Sequence, residues 1–247
     1  MATKHNTETI IPQTMIDVSG LAKTFVLHTQ GSARISVFEN LSLAVNAGEC
    51  VALDGPSGAG KSTLMRILYA NYRIDRGVIH VRHDGEMVDL ASSAPRLVLD
   101  VRRRTLGYVS QFLRVIPRVS TLDVVAEPLR ALGTEETEAH DRARTMLARL
   151  NVPERLWGLA PATFSGGEQQ RVNVARGFVA ELPVLLLDEP TASLDAINRQ
   201  CVLSLIDEAK ARGAAVIGIF HDREVRDAVA DRVFDMRETL AASGEAA

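Results

Sequence analysis

Lys61, Ser62, Asp188, Glu189 and His221 are the side chains with which this sequence could handle a phosphorylated ligand, and each follows a short apolar run or a glycine-rich loop. Lys61 and Ser62 close the stretch Gly55-Pro-Ser-Gly-Ala-Gly-Lys-Ser62, which fits G-x-x-x-x-G-K-[ST] at every fixed position. Gly55, Gly58 and Gly60 admit positive φ, so the loop amides can close around phosphate without a Cβ in the way. Pro56, Ser57 and Ala59 fill out the loop, and Thr63 follows it. Lys61 offers a point charge to the β- and γ-phosphates, and the Ser62 hydroxyl offers a Mg²⁺ ligand. Asp188 is suited to hold Mg²⁺ through water, and Glu189 to orient or deprotonate an attacking water. The competing reading of that acidic pair is a helix N-cap. His221 stands where a histidine can contact the terminal phosphate.

These residues need elements to carry them. Cys50–Asp54 reads as a buried strand, and the segment after the loop puts apolar residues at Leu64, Met65, Ile67 and Leu68, the spacing of a helix packed on a sheet. Strand, glycine loop and helix in that order form an anion site, with about half a positive charge from the helix dipole. The loop therefore predicts a nucleoside triphosphate with Mg²⁺. Pro183–Pro190 and Ala214–Phe220 read as buried parallel strands, whose carboxyl ends are where α/β sites form. Ser165, Gly166 and Gly167 open a helix through Ala180 and make a second anion-binding N-terminus.

Around this core, Met15–Gly20 and Leu21–Leu27 read as two strands, 28–36 as a hairpin loop, and Val37–Val45 as a further strand. A hairpin turns at Asp84-Gly85. An antiparallel unit is therefore expected from 15–50 and 75–110. Leu106–Ser110 is a strand ending at Gln111. Glu135–Leu150 is amphipathic and stops at Asn151-Val-Pro153, so 112–165 reads as a helical insertion. Phe25 is either a base-stacking aromatic or a core residue. Arg102–Arg104 reads as a solvated helix face, with phosphate or partner contact as the alternative. Residues 1–14 are expected to be a disordered leader and 238–247 a flexible tail.

Composition narrows the class. The chain has 247 residues, enough for one α/β domain with subdomains, and a net charge of −3, which gives no sign of a nucleic-acid binder. Cys50 and Cys201 read as reduced core residues of a cytoplasmic protein. No apolar run approaches the roughly 18 residues needed to span a bilayer, and no secretory h-region is expected.

In this order the motifs resemble the ATP-binding cassette (ABC) ATPases. The glycine loop matches Walker A, Gln111 the Q-loop, Phe164–Glu168 the signature, Leu185–Glu189 Walker B, Ser193–Asp195 the D-loop and His221 the switch histidine. The resemblance implies a P-loop NTPase of ABC type with a RecA-like core, an antiparallel β subdomain and an inserted α-helical subdomain, the ATPase domain covering 15–237. It implies Glu189, His221 and Gln111 as catalytic residues and Ser62, Gln111 and Asp188 around Mg²⁺. Phe25 is implied against adenine, and Ser165, Gly166, Gly167, Glu168 and Asp195 against the ATP of a second subunit, as a homodimer or with a related cassette. Glu168 departs from the glutamine of many members.

Ile67–Tyr72, Ser110–Arg118, Leu150–Trp157, Thr163–Gly177 and Arg212–Asp222 are similar to the PhnL family, the ABC-type subunits of the carbon–phosphorus lyase system. That similarity implies a lyase core complex as partner, no membrane insertion, and a place at the ribose 1-phosphonate 5-triphosphate-forming step of phosphonate use. The alternatives are the nucleotide-binding subunit of a membrane transporter and an ATP-gated structural subunit. A chromosome or repair protein is disfavoured by the lack of a long coiled-coil insertion or a basic surface.

Overall fold

The period-2 and continuous apolar runs of the chain become two sheets in the computed structural model, which describes residues 13–27, 33–113 and 117–239. The expected leader at 1–14 falls almost wholly, and the tail at 238–247 mostly, outside the described residues. β2 (Ala33–Asn46), β1 (Thr14–Leu27), β4 (Arg76–His83) and β5 (Glu86–Asp89) form an antiparallel sheet in that order. β6 (Leu106–Val109), β7 (Val184–Asp188), β8 (Ala215–Ile219), β3 (Cys50–Asp54) and β9 (Arg232–Asp235) form a wholly parallel one.

Alternation along the parallel strands divides the interior in two. Val51, Leu53, Leu106, Leu186 and Ile217 face the antiparallel sheet and α1 (Lys61–Leu68), which buries Leu64, Met65, Ile67 and Leu68. Cys50, Ala52, Val109, Leu185, Leu187 and Val216 face the helices on the other side. Those helices are α3 (Thr121–Ala131), α4 (Glu136–Arg149), α5 (Gly166–Phe178), α6 (Ala196–Ala211) and α7 (Arg223–Val229). Burial pushes the Cys50 thiol up to about 12, so it is an inert core residue.

Three sequence expectations need correction. Met15–Gly20 and Leu21–Leu27 are one strand, because a bulge around Gly20, at φ 63°, restores pairing instead of ending it. The hairpin loop expected over 28–36 is shorter: β2 already begins at Ala33, and 28–32 lie outside the described residues. The antiparallel unit ends at Asp89, not at 110. Pro95 starts α2 (Pro95–Arg104), and β6 then leaves that unit to pair with β7. The arginines at the end of α2 are tied within the chain: Arg102 donates to the Tyr69 carbonyl at 2.7 Å, and Arg103 and Arg104 pair with Asp100.

Within 112–165 the chain forms α3, α4 and two short 3₁₀ turns, and its ends are joined where Thr121 and Leu122 donate backbone bonds to Leu159 and Trp157. The unit bears on the core through α5, which crosses β6 at two glycines. A Cβ at Gly177 would lie 2.3 Å from Val109 Cγ2, and one at Gly107 would lie 3.2 Å from the Gly177 carbonyl. This contact sets a sign. In a free helix Gly177→Ala gains about 1 kcal/mol, but overpacking here costs about 1–3 kcal/mol. We expect Gly177→Ala to lower the urea midpoint and Val109→Ala in the same chain to restore part of the loss. A raised midpoint would mean that α5 does not approach β6 this closely.

Candidate functional site

Four parallel strands end at one edge, and each delivers one part of the site. β3 runs into the glycine loop, β6 into Gln111, β7 into Asp188 and Glu189, and β8 into His221. Gly60 caps α1 at φ 86°, and a Cβ there would stand 2.6–2.8 Å from Val37 and Phe38 of β2. The antiparallel sheet thus presses on the loop from outside, and only glycine fits between. Gly55 and Gly58 also take positive φ. Pro56, Ser57 and Gly58 are exposed, Ala59 is buried and Thr63 is half-buried. Lys61 Nζ donates to the carbonyls of Gly55 at 2.5 Å and Pro56 at 3.0 Å, bonds that an arriving phosphate would compete for.

The acidic pair is split by its environment. Asp188 is 2 % exposed, and its carboxyl is raised above the usual range by burial and then by the neighbouring Glu189 charge. Ser62, Arg66 and Tyr108 pull it back. Ser62 Oγ donates to Asp188 Oδ1 at 3.4 Å. A hydroxyl and a carboxylate at this separation are hard oxygen donors of the kind Mg²⁺ takes, so the residues present fit that ion. Glu189 adopts a left-handed φ of 55°, a strain of about 1–3 kcal/mol for a residue with a Cβ. The turn lifts its carboxylate off the strand. His221 Nε2 stands 2.7 Å from one carboxylate oxygen, and Gln111 Nε2 donates to the other at 3.4 Å. Ser62, Gln111, Asp188, Glu189 and His221, far apart in sequence, therefore meet at one edge.

The structure arranges the other predicted residues separately. Ser165 caps α5, and its hydroxyl donates to Glu168 Oε2 at 2.7 Å while the Ser165 amide donates to the same oxygen at 2.9 Å. That box holds the Glu168 carboxyl below its usual range. Gly166 is exposed, and a Cβ at Gly167 would meet the Ser193 carbonyl at 2.9 Å, so the start of α5 lies against the turn before α6. Asp195 caps α6, accepting from the Asn198 amide at 2.8 Å. Phe25 is half-buried, with its ring edge-on to Tyr72 at 5.4 Å and Lys23 Nζ 4.9 Å from its centroid. One face is thus already engaged by a cation from its own strand.

Sequence reasoning missed two side chains that join α5 to the site. Gln170 Nε2 donates to the carbonyls of Glu189 and Pro190, both at 3.1 Å, and Asn173 Nδ2 donates to the Ser110 carbonyl at 2.5 Å. Buried polar residues three apart on an otherwise apolar helix face were the available signal. A histidine–carboxylate group at His83, Asp84 and Asp100 is an ion-pair network, since Arg103 and Arg104 bind its carboxylates.

The model of the family described as "ABC transporter" matches residues 38–192. The chain is 37 % identical to the pyoverdine export ATP-binding/permease protein PvdT of Pseudomonas aeruginosa, over 92 % of this chain and 33 % of that protein. It is 34 % identical to a probable export ATP-binding/permease protein of Pseudomonas fluorescens, over 91 % of this chain and 33 % of that one. The chain spans about a third of the length of these relatives. Among solved structures, the dimeric post-hydrolysis state of the ATP-binding cassette MJ0796, bound to ADP and Pi, superposes with a TM-score of 0.81. It is 28 % identical and covers 90 % of this chain and 94 % of its own.

The raised Asp188 carboxyl yields a stability prediction. A carboxyl raised on folding favours the native state below its unfolded value, and that contribution is lost as pH rises through the folded value. We therefore expect Asp188→Asn, without nucleotide or metal, to melt higher than the parent at neutral pH, with the gap closing as pH falls through the carboxylate range. A lower melting temperature at neutral pH would show that Asp188 is adequately compensated by Ser62, Arg66 and Tyr108.

Proposed function

The chain belongs to the ABC transporter family and carries its ATPase domain, and from that premise we propose that Glu189 is the carboxylate that orients water for hydrolysis of Mg-ATP. The observation that carries this is the Glu189 side chain, held on one oxygen by His221 and on the other by Gln111, beside the Ser62–Asp188 pair. Lys61 exchanges its bonds to Gly55 and Pro56 for the phosphates, and the N-terminus of α1 adds its dipole. Ser62 and Asp188 would hold Mg²⁺, which would supply neutralisation of the phosphate charge. His221 and Gln111 then sense the terminal phosphate and position the water with Glu189, so its loss after hydrolysis is felt at two strand ends. Phe25 stacks on the base once Lys23 moves aside.

Ser165, Gly166 and Glu168 belong to a second active site. The start of α5 is exposed and lies against the turn leading to α6, and the Ser165 amide and hydroxyl would exchange their bonds to Glu168 for an anion. Two chains, or this chain and a related cassette, facing one another would bury each triphosphate between one glycine loop and the partner's α5, excluding water. The dimeric form of the MJ0796 cassette supports that arrangement.

Two readings of the driven partner have separate support. The named relatives are export ATP-binding/permease proteins, which favours a membrane permease supplied by another chain or segment. Among the described residues no helix is long and apolar enough to cross a membrane. The second reading is a cytoplasmic subunit of a carbon–phosphorus lyase assembly, and it rests on the PhnL-like segments alone. No relative named above is a lyase subunit.

We expect Glu189→Gln to retain ATP binding while kcat falls about 10²–10⁴-fold, and to form a dimer with Mg-ATP on size exclusion. A variant that stays monomeric at high protein concentration would overturn the homodimeric sandwich. Affinity purification of the same variant with Mg-ATP from phosphate-starved cells separates the partners. A polytopic permease among the captured proteins establishes the transport reading, and soluble lyase subunits with a sister cassette establish the other.

A further inference from the structure

The Glu189 carboxylate reaches His221 and Gln111 from a backbone held at a left-handed φ of 55°. Relaxation of that residue to the ordinary region would swing the carboxylate away from both partners. We propose that Gln170 of α5 is a positioning residue that locks this turn, through the two hydrogen bonds it donates to the carbonyls of Glu189 and Pro190. The inference rests on the reading of Glu189 as the carboxylate that orients water.

The contact is specific to an amide. Gln170 is 5 % exposed, and its Nε2 lies 3.1 Å from each carbonyl oxygen. Carbonyls can only accept, so the nitrogen of the side chain must face them, with one proton for each. The backbone holds the turn at two other points. The Ala192 amide donates to the Glu189 carbonyl at 3.1 Å, and the Glu189 amide donates to Ile219 at 3.0 Å. Among the described residues, no backbone amide serves the Pro190 carbonyl, so Gln170 supplies its bond. With that donor gone, a buried acceptor is left unpaired and the turn gains a reason to rearrange.

One face of α5 sets the reach of this side chain. Gly167, Gln170, Asn173 and Gly177 follow at steps of three, three and four, the spacing of a single helix face. Each meets a strand end or the turn after it. Gly167 lies against the carbonyl of Ser193, a second left-handed residue of the same turn, at φ 60°. Asn173 donates to the Ser110 carbonyl at 2.5 Å, and Gly177 lets the helix close on Val109 of β6. The two glycines fix how near α5 lies to the sheet, and Gln170 between them spans the remaining gap. An asparagine there would fall short by one methylene.

The test removes the donors and keeps the shape. Gln170→Met retains an unbranched side chain of similar length without an N–H. Single-turnover hydrolysis of radiolabelled ATP with Mg²⁺, well below the melting temperature, is expected to slow about 10–10²-fold, as a displaced reacting group causes. ATP affinity should stay within about twofold of the parent, since the phosphate loop is untouched. In a Glu189→Gln chain the same substitution should slow the residual rate by no more than about twofold, because it acts only through Glu189. Hydrogen exchange gives a readout apart from activity: the Glu189 amide is expected to lose protection while the amides of β8 keep theirs. An unchanged rate, or an equal loss with and without Glu189, overturns the proposal. So does retained protection at Glu189, or a loss of ATP affinity large enough to account for the slower rate. Should the methionine chain not fold, Gln170→Asn, which withdraws the amide from both carbonyls, is read in the same way. Glu189→Gln alone separates the two readings. If it hydrolyses ATP like the parent, the assignment of Glu189 fails; if it is slow and Gln170→Met is not, only the role of Gln170 fails.

Discussion

The site depends on the parallel register that brings the ends of β6, β7, β8 and β3 to one edge. Parallel strands buried on both faces can shift by two residues without exposing an apolar side chain, so the apolar pattern alone does not fix where they end. The ends are pinned by polar contacts. Glu189 donates its amide to Ile219, continuing the pairing of β7 and β8 one residue past the strand, and Gln170 caps the carbonyls of Glu189 and Pro190. A slip at this edge would separate Glu189 from His221 and Asp188 from Ser62 together.

Holding such a site costs stability. Asp188 is buried next to another acid, and Glu189 sits in left-handed backbone. The two hydrophobic cores offset this. One packs α1 and the antiparallel sheet on the face that carries Tyr108 and Asp188, and the other packs the helices on the opposite face. The loop is therefore clamped between layers, with Val37 and Phe38 closing over Gly60. A ligand that binds this edge only in the folded chain would add to its stability.

The helical unit is joined to this edge by few, specific contacts. α5 meets β6 through Gly107 and Gly177, and Asn173 reaches the carbonyl before Gln111. Arg199 of α6 pairs at 2.9 Å with Asp222, the residue after His221. The last two links end next to Gln111 and His221, at the Ser110 carbonyl and at Asp222.

The chemistry was legible in the sequence because the residues that perform it stand at boundaries with strong local signals. The glycine spacing, the acids ending Val184–Leu187 and the histidine after Phe220 each mark a strand end without reference to the rest of the chain. The start of α5 at Ser165 was local in the same sense, although its bonds to Glu168 were not read. Tertiary structure alone decided what these residues touch. The bulge at Gly20 joined two apparent strands, since pairing with β2 outweighs a local break. Pro95 turned the end of the expected antiparallel unit into a helix and sent β6 to the other sheet. What Gln170 and Asn173 bind carries no local mark, because their partners lie 19 and 63 residues away along the chain. The sequence by itself determined which groups are present at each strand end; the parallel register decided which of them meet, because only long-range pairing fixes one strand end against another.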